Sequence, residues 1–164
     1  MKSHVALVGA AAMLVGCWGA GSAAPSAALP VINACFETDS GTVHVSLELA
    51  QAPEERRKGL MGREFLPASS GMLFVYQKPQ SPDHGFWMYQ TLIPLDIAYL
   101  NGQGVIGNIK QMEPCDSSSG ARCPSYPAEV EFTSAVEMNA GFFEANGIEI
   151  GNRLKVGEHN CSSR

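Results

Sequence analysis

Six residues hold most of the chemistry on offer: Arg56, Arg57 and Arg63 in RRKGLMGR, and Trp87, Thr91 and Asp96 in FWMYQTLIPLD. A tryptophan exposed on a rigid sheet stacks on a sugar ring or an aromatic ligand, while an arginine and an aspartate supply directed polar contacts. Arg56, Arg63, Trp87, Thr91 and Asp96 are therefore the expected ligand-binding set. Trp87 alternates with Phe86 and Met88, so extended backbone sends it to the face opposite both. A plainer reading stands beside this one. In it Trp87 is core, Asp96 accepts a hydrogen bond from an arginine or from turn backbone, and Arg57 and Lys58 are the solvated side of a helix.

Catalysis has less to build on. The chain lacks a G-x-S-x-G elbow, a glycine-rich phosphate loop and an H-E-x-x-H helix. A hydrolase would have to use Asp96 as acid or base, with Glu48 or Glu113 as its partner and Arg63 stabilising charge. The separation of the two carboxylates would decide such a mechanism, and sequence does not supply it. The seven methionines, among them Met61, Met72, Met88, Met112 and Met138, raise copper(I), for which thioethers are soft ligands. Their spacing is irregular, and core packing accounts for them better. His44, His84 and His159 have no i, i+4 partner, so neither a metal site nor a cofactor is expected.

The cysteines depend on where the chain works. Met1 to Pro25 places Lys2 ahead of an uncharged run from Val5 to Gly16, too short to span a bilayer and suited to a signal peptide. Leu14-Val15-Gly16-Cys17 looks like a lipobox, with Cys17 lipidated; the small residues Ser22 and Ala24 offer ordinary cleavage instead. Either route takes the chain out of the cytoplasm, to a periplasmic address with lipid tethering favoured. Cys35, Cys115, Cys123 and Cys161 remain, an even number in an oxidising compartment, which favours two disulfides. Four cysteines allow three pairings; the bracketing of DSSSGAR by Cys115 and Cys123 favours a local staple there, with Cys35 then tied to Cys161.

The chain then divides into a signal segment 1–17, a small-residue tether 18–30 and one domain over 31–164, long enough for a single core. Removing Lys2 with the signal takes the net charge from −5 to −6, and no Lys/Arg cluster offsets it. Nucleic acid is thus not expected as a partner on electrostatic grounds, and a membrane is reached only through lipid on Cys17. The expected partner is a small molecule, a glycan or an envelope protein.

Short strands must position these residues. TVHVSLELA alternates Val43, Val45, Leu47 and Leu49 against His44, Ser46 and Glu48, the pattern of a half-buried strand. PEERRKG runs Pro, acids, bases, Gly, the order of a short helix with a matched dipole and a stop. GMLFVY is apolar on both faces, QKPQSPDH reads as a loop, and GFWMYQT and PLDIAYL read as two further strands. Asn101-Gly102 turns the chain back, so that Val105 to Met112 pairs with PLDIAYL. Glu129 to Phe132 and Ala135 to Ala140 alternate, GFFEANG is a helical turn or two, and RLKV is a last strand. The expected class is mainly β, a compact β-sandwich or partly closed barrel with one or two short helices.

Three blocks also carry a family resemblance: RRKGLMGREFLPASSGMLFVY, FWMYQTLIPLDIAYLNGQGVIGNI and AVEMNAGFFEANGIEIGNRLKV. Together they resemble the domain of unknown function 192 family over Thr42 to Val156. The resemblance implies a small, mainly β, usually exported domain, and implies no activity to carry over. The family usually has a basic residue and an Asn between the Met and Thr of the second block. Here Tyr89 and Gln90 stand there, which implies a different ligand if that position makes contact.

Overall fold

The computed structural model of the protein describes residues 28–161. Cys17, the signal segment and most of the tether lie outside the described residues. Nine strands and two short α-helices follow in the order β1 Val31–Thr38, β2 Gly41–Ala50, α1 Pro53–Lys58, β3 Ser70–Gln80, β4 Gly85–Trp87, β5 Leu95–Leu100, β6 Ile106–Met112, β7 Ser125–Pro127, β8 Phe132–Asn139, α2 Phe142–Ala145 and β9 Arg153–Val156. Seven strands form one sheet in the order β6-β5-β8-β3-β2-β1-β9, and β4 pairs with β7 in a separate ribbon. Only β2 and β3 run parallel in the large sheet, and parallel neighbours need a crossover, which α1 and the loop after it supply.

The large sheet curls until its edges meet at one end. Val105 bridges Arg153, and Ile106 N–H donates to Asn152 O at 2.9 Å while Leu154 N–H donates to Gly104 O, also at 2.9 Å. A Cβ on Gly104 would lie 2.6 Å from Leu154 O, so this contact requires glycine. The closure stops there and leaves a partly closed sheet rather than a complete barrel. Every strand of that sheet sends side chains to the concave core, including Phe36, Leu47, Leu73, Leu100, Ile106, Val136 and Leu154, and α2 plugs it with Phe142 and Phe143. The alternate residues of β3, β5 and β8 face outward into a second core. There Met72, Phe74, Ile97, Tyr99 and Ala135 pack against Leu60, Leu66, Phe86 and Met88. A sheet covered on both faces explains why GMLFVY is apolar throughout.

Both expected disulfides form, Cys35 to Cys161 and Cys115 to Cys123. The first spans 126 residues and ties β1 to the end of the chain; the second closes an 8-residue separation between β6 and β7. The chain-entropy model assigns about 5 kcal/mol to a loop of the first length and about 2–3 kcal/mol to one of the second. Met72, Met88, Met112 and Met138 are all buried in the two cores, as packing predicts.

The ladder contains two strands that the sequence pattern did not mark, β1 and β7, and differs from expectation in three further places. GFWMYQT contributes only three residues of strand, and they pair with Ser125–Pro127 in a separate ribbon. Past Trp87 the chain turns, with Thr91 N–H donating to Met88 O at 2.9 Å and Gln90 at φ 56°. QKPQ, expected as loop, continues β3 to Gln80; the register shifts between Val75 and Gln80, so Pro79 falls where the ladder is already interrupted. Residues 129–131 form no strand: Glu129 stands at φ 59°, and β8 starts at Phe132.

Candidate functional site

Two of the five expected ligand-binding residues, Arg56 and Trp87, meet at one cleft of about 560 Å³ between α1, β3 and β4. The volume falls within the roughly 300–1,000 Å³ range of small-molecule sites. Arg56 arrives from α1, whose start is fixed by Glu55: its carboxylate accepts the N–H groups of Gln51 and Ala52, each at 2.8 Å. The Arg56 guanidinium donates through Nη1 to Gln51 O and, at 3.0 Å, to Val75 O. It also lies over the Tyr76 ring, 4.6 Å from the centroid. That combination of carbonyl bonds and ring stacking pre-orients the fork, and no carboxylate ion pair neutralises it among the described residues.

The aromatic floor is a net of edge-to-face contacts. Tyr76 meets His84 at 5.4 Å and Phe132 at 5.5 Å, while Phe86 meets Phe74 at 5.0 Å and Tyr99 at 5.8 Å. Burial, and secondarily the charge of Arg56, lowers the His84 pKa, so the imidazole is neutral at neutral pH. Burial pushes the Tyr76 phenol up to about 12, against the opposing pull of Arg56.

Trp87 is 43% exposed, while Phe86 and Met88 are buried. Alternation therefore places it outward, and it is not core. Its ring lies 5.4 Å from that of Tyr89 at 36°. The Cys115–Cys123 loop packs against it so closely that a Cβ on Gly120 would stand 2.5 Å from its Cζ3. The local staple thus buttresses the indole, leaving part of it to line the cleft.

The other three expected residues lie elsewhere. Arg63 pairs with Glu48 at 2.7 Å and lines a separate depression with Met72 and Lys58. Thr91 is buried in the turn that follows Met88. Asp96 is 6% exposed, on the concave face of β5. The backbone N–H groups of Gly141, Phe142 and Phe143 bond its carboxylate, and burial raises its pKa against the pull of those bonds. Asp96 thus holds α2 in place, and neither it nor Arg63 reaches the cleft. Arg57, Lys78 and three glutamines, Gln51, Gln77 and Gln80, complete the cleft walls without a single carboxylate. Among the described residues no group of three His, Cys, Asp or Glu side chains is placed to hold a metal.

One unusual group escaped the sequence reading. Glu137, on β8, is 4% exposed and faces the outer core between Met72 of β3 and Ile97 of β5. Burial alone pushes its carboxyl up to about 8, so it is protonated at neutral pH. The signal was present in AVEMN, where Glu137 shares its face with Ala135 in a strand whose neighbours are apolar on both sides.

Fold and cleft together define a small mainly β domain with a partly closed sheet and an aromatic, cation-lined recess. The chain belongs to the DUF192 family, described as an uncharacterized ACR, whose model matches residues 35–156. Among solved structures it is similar to a protein from Sinorhizobium meliloti described as a proposed transcription regulator. Identity is 27%, over 80% of this chain and 98% of that one, with a TM-score of 0.70. It is also similar to a protein of unknown function from Novosphingobium aromaticivorans, at 29% identity over 84% of this chain and 94% of that one, with a TM-score of 0.71. No curated protein matches the chain.

Proposed function

We propose that this DUF192 domain is a non-catalytic binding module of the cell envelope, exported and held near a membrane, whose ligand occupies the cleft between α1, β3 and β4. The observation that carries this reading is the meeting of Arg56 and Trp87, from separate sequence blocks, over a pre-oriented aromatic floor. Two formed disulfides support an oxidising address. The description of the S. meliloti protein as a regulator does not extend to nucleic acid binding here. The net charge is −5, and the cations at issue are confined to a recess of small-molecule size.

The test uses the two-tryptophan composition. With Trp18→Phe in the full chain, all indole emission comes from Trp87. Acrylamide quenching is then recorded with and without millimolar saccharides, amino acids and nucleotides. At least one class should protect Trp87, and Arg56→Gln should remove the protection. If every compound leaves quenching unchanged, the cleft is not a small-ligand site.

A further inference from the structure

We infer that the ligand of this cleft is a saccharide carrying an anionic group, a carboxylate or a phosphate ester. The inference rests on the binding-module reading above and narrows it to a chemical class. Three side chains of the lining are cationic, Arg56, Arg57 and Lys78, and none is anionic, although the whole chain carries −5. Such segregation of charge in an acidic protein places a positive field where a ligand enters.

The carboxylate next to Arg56 in sequence offsets that field only in part. Glu55 is ionised and acts on Arg56 through space, but its carboxylate bonds the N–H groups of Gln51 and Ala52 rather than the guanidinium. Glu137 lies deeper, in the outer core, and stays protonated at neutral pH. Among the described residues, the ion pairs involve Arg63, Lys110 and Lys155, so none of the three cleft cations is held in an ion pair. Arg56 uses Nη1 for its two carbonyl bonds, which leaves Nη2 and Nε as donors in a fixed plane suited to two oxygens of one anion. Arg57 and Lys78 are exposed and add charge without fixed geometry.

The neutral part of the wall selects the rest of the ligand. Gln51 and Gln77 have no side-chain hydrogen bond within the described residues, and Gln80 spends one donor on Lys78 O at 2.8 Å. A carboxamide offers a donor and an acceptor side by side, which matches the hydroxyls of a sugar. Trp87, which lines the cleft, supplies aromatic surface for its apolar face. A flat aromatic anion would satisfy the cations and leave the three amides to solvent.

The experiment is a titration of the full chain carrying Trp18→Phe with glucuronate, glucose 6-phosphate, glucose, benzoate, acetate and inorganic phosphate, read by Trp87 emission and by calorimetry. Glucuronate or glucose 6-phosphate should bind at least tenfold more tightly than glucose, acetate, benzoate and phosphate alone. Comparison of the two anionic sugars tells carboxylate from phosphate ester. Arg57→Gln with Lys78→Gln, both at exposed positions, should lower the anionic-sugar affinity about tenfold and leave the urea midpoint in place. Arg56→Lys should lower it further, because the charge stays and the planar fork is lost. Glucose binding as tightly as the anionic sugars overturns the inference while the binding-module reading stands. Benzoate, acetate or phosphate binding as tightly overturns the saccharide half. Silence from all six, with a different class protecting Trp87, also overturns it; silence from every class overturns both readings.

Discussion

Replacing Glu137 by glutamine separates a buried acid from ordinary packing. Glu137 lies between Met72 and Ile97 on adjacent strands, with no hydrogen-bond or cationic partner among the described residues, and burial pushes its pKa from 4.5 to about 8. The folded state therefore holds this proton more tightly than the unfolded chain does. Stability from Glu137 is fully present below pH 4.5 and is lost progressively until pH rises past about 8. Each pH unit inside that window costs about 1.4 kcal/mol, so the loss between pH 5 and pH 7 is about 2–3 kcal/mol. The carboxamide of Glu137→Gln carries no proton to lose, and the substitution should remove this slope.

Urea unfolding with the disulfides intact, measured from pH 5 to pH 9, reads the effect directly. With a urea dependence of about 1–3 kcal/mol per molar, the wild-type midpoint should fall by about 1 M or more relative to that of the variant, flattening above pH 8. The absolute stability of Glu137→Gln at one pH is less informative, because a buried amide without partners carries its own cost of about 1–3 kcal/mol. The diagnostic quantity is the difference in slope. Parallel pH profiles for wild type and variant would refute the claim that Glu137 is neutral in the folded protein.

Two further substitutions separate anchoring from binding. Asp96→Asn weakens the acceptor for Gly141, Phe142 and Phe143 and should lower stability by about 1–3 kcal/mol by urea unfolding, while Trp87 emission and cleft binding stay unchanged. Loss of ligand at preserved stability would return Asp96 to the binding set. Gln90 is exposed at φ 56°. Gln90→Asn should therefore stabilise by up to about 1 kcal/mol, since Asn enters the left-handed region more easily; an unchanged or lower urea midpoint would count against strain at this turn.

Local pattern made much of the scaffold legible. The alternation of TVHVSLELA, the unbroken apolar run of GMLFVY, the charge order of PEERRKG and the bracketing of DSSSGAR by cysteines each express a constraint within about ten residues. The failures are non-local. Three residues of β4 pair with β7 across some forty positions, and no periodicity survives in strands so short. Parity put Trp87 opposite Phe86 and Met88 without saying which face is buried, and the loop that packs against it is set by a disulfide and by the absence of a side chain at Gly120. Arg63 and Asp96 were expected to serve one site as the directed polar contacts beside Trp87. Parallel pairing of β2 with β3 instead places Glu48 within reach of Arg63, and Asp96 turns to the opposite face of the sheet, toward α2.

One row across the sheet shows why residue type alone could not have assigned these roles. Glu48, Met72, Glu137, Ile97 and Lys110 are successive cross-strand neighbours on β2, β3, β8, β5 and β6. Glu48 finds Arg63, and Lys110 finds Glu129, each at 2.7 Å, because both lie where the covering layer thins and a charged partner can reach them. Glu137 sits in the middle of the row, on the strand between β3 and β5, and meets only apolar side chains across the ladder. The same carboxyl chemistry therefore yields an ion pair at one strand position and a buried neutral acid two strands away.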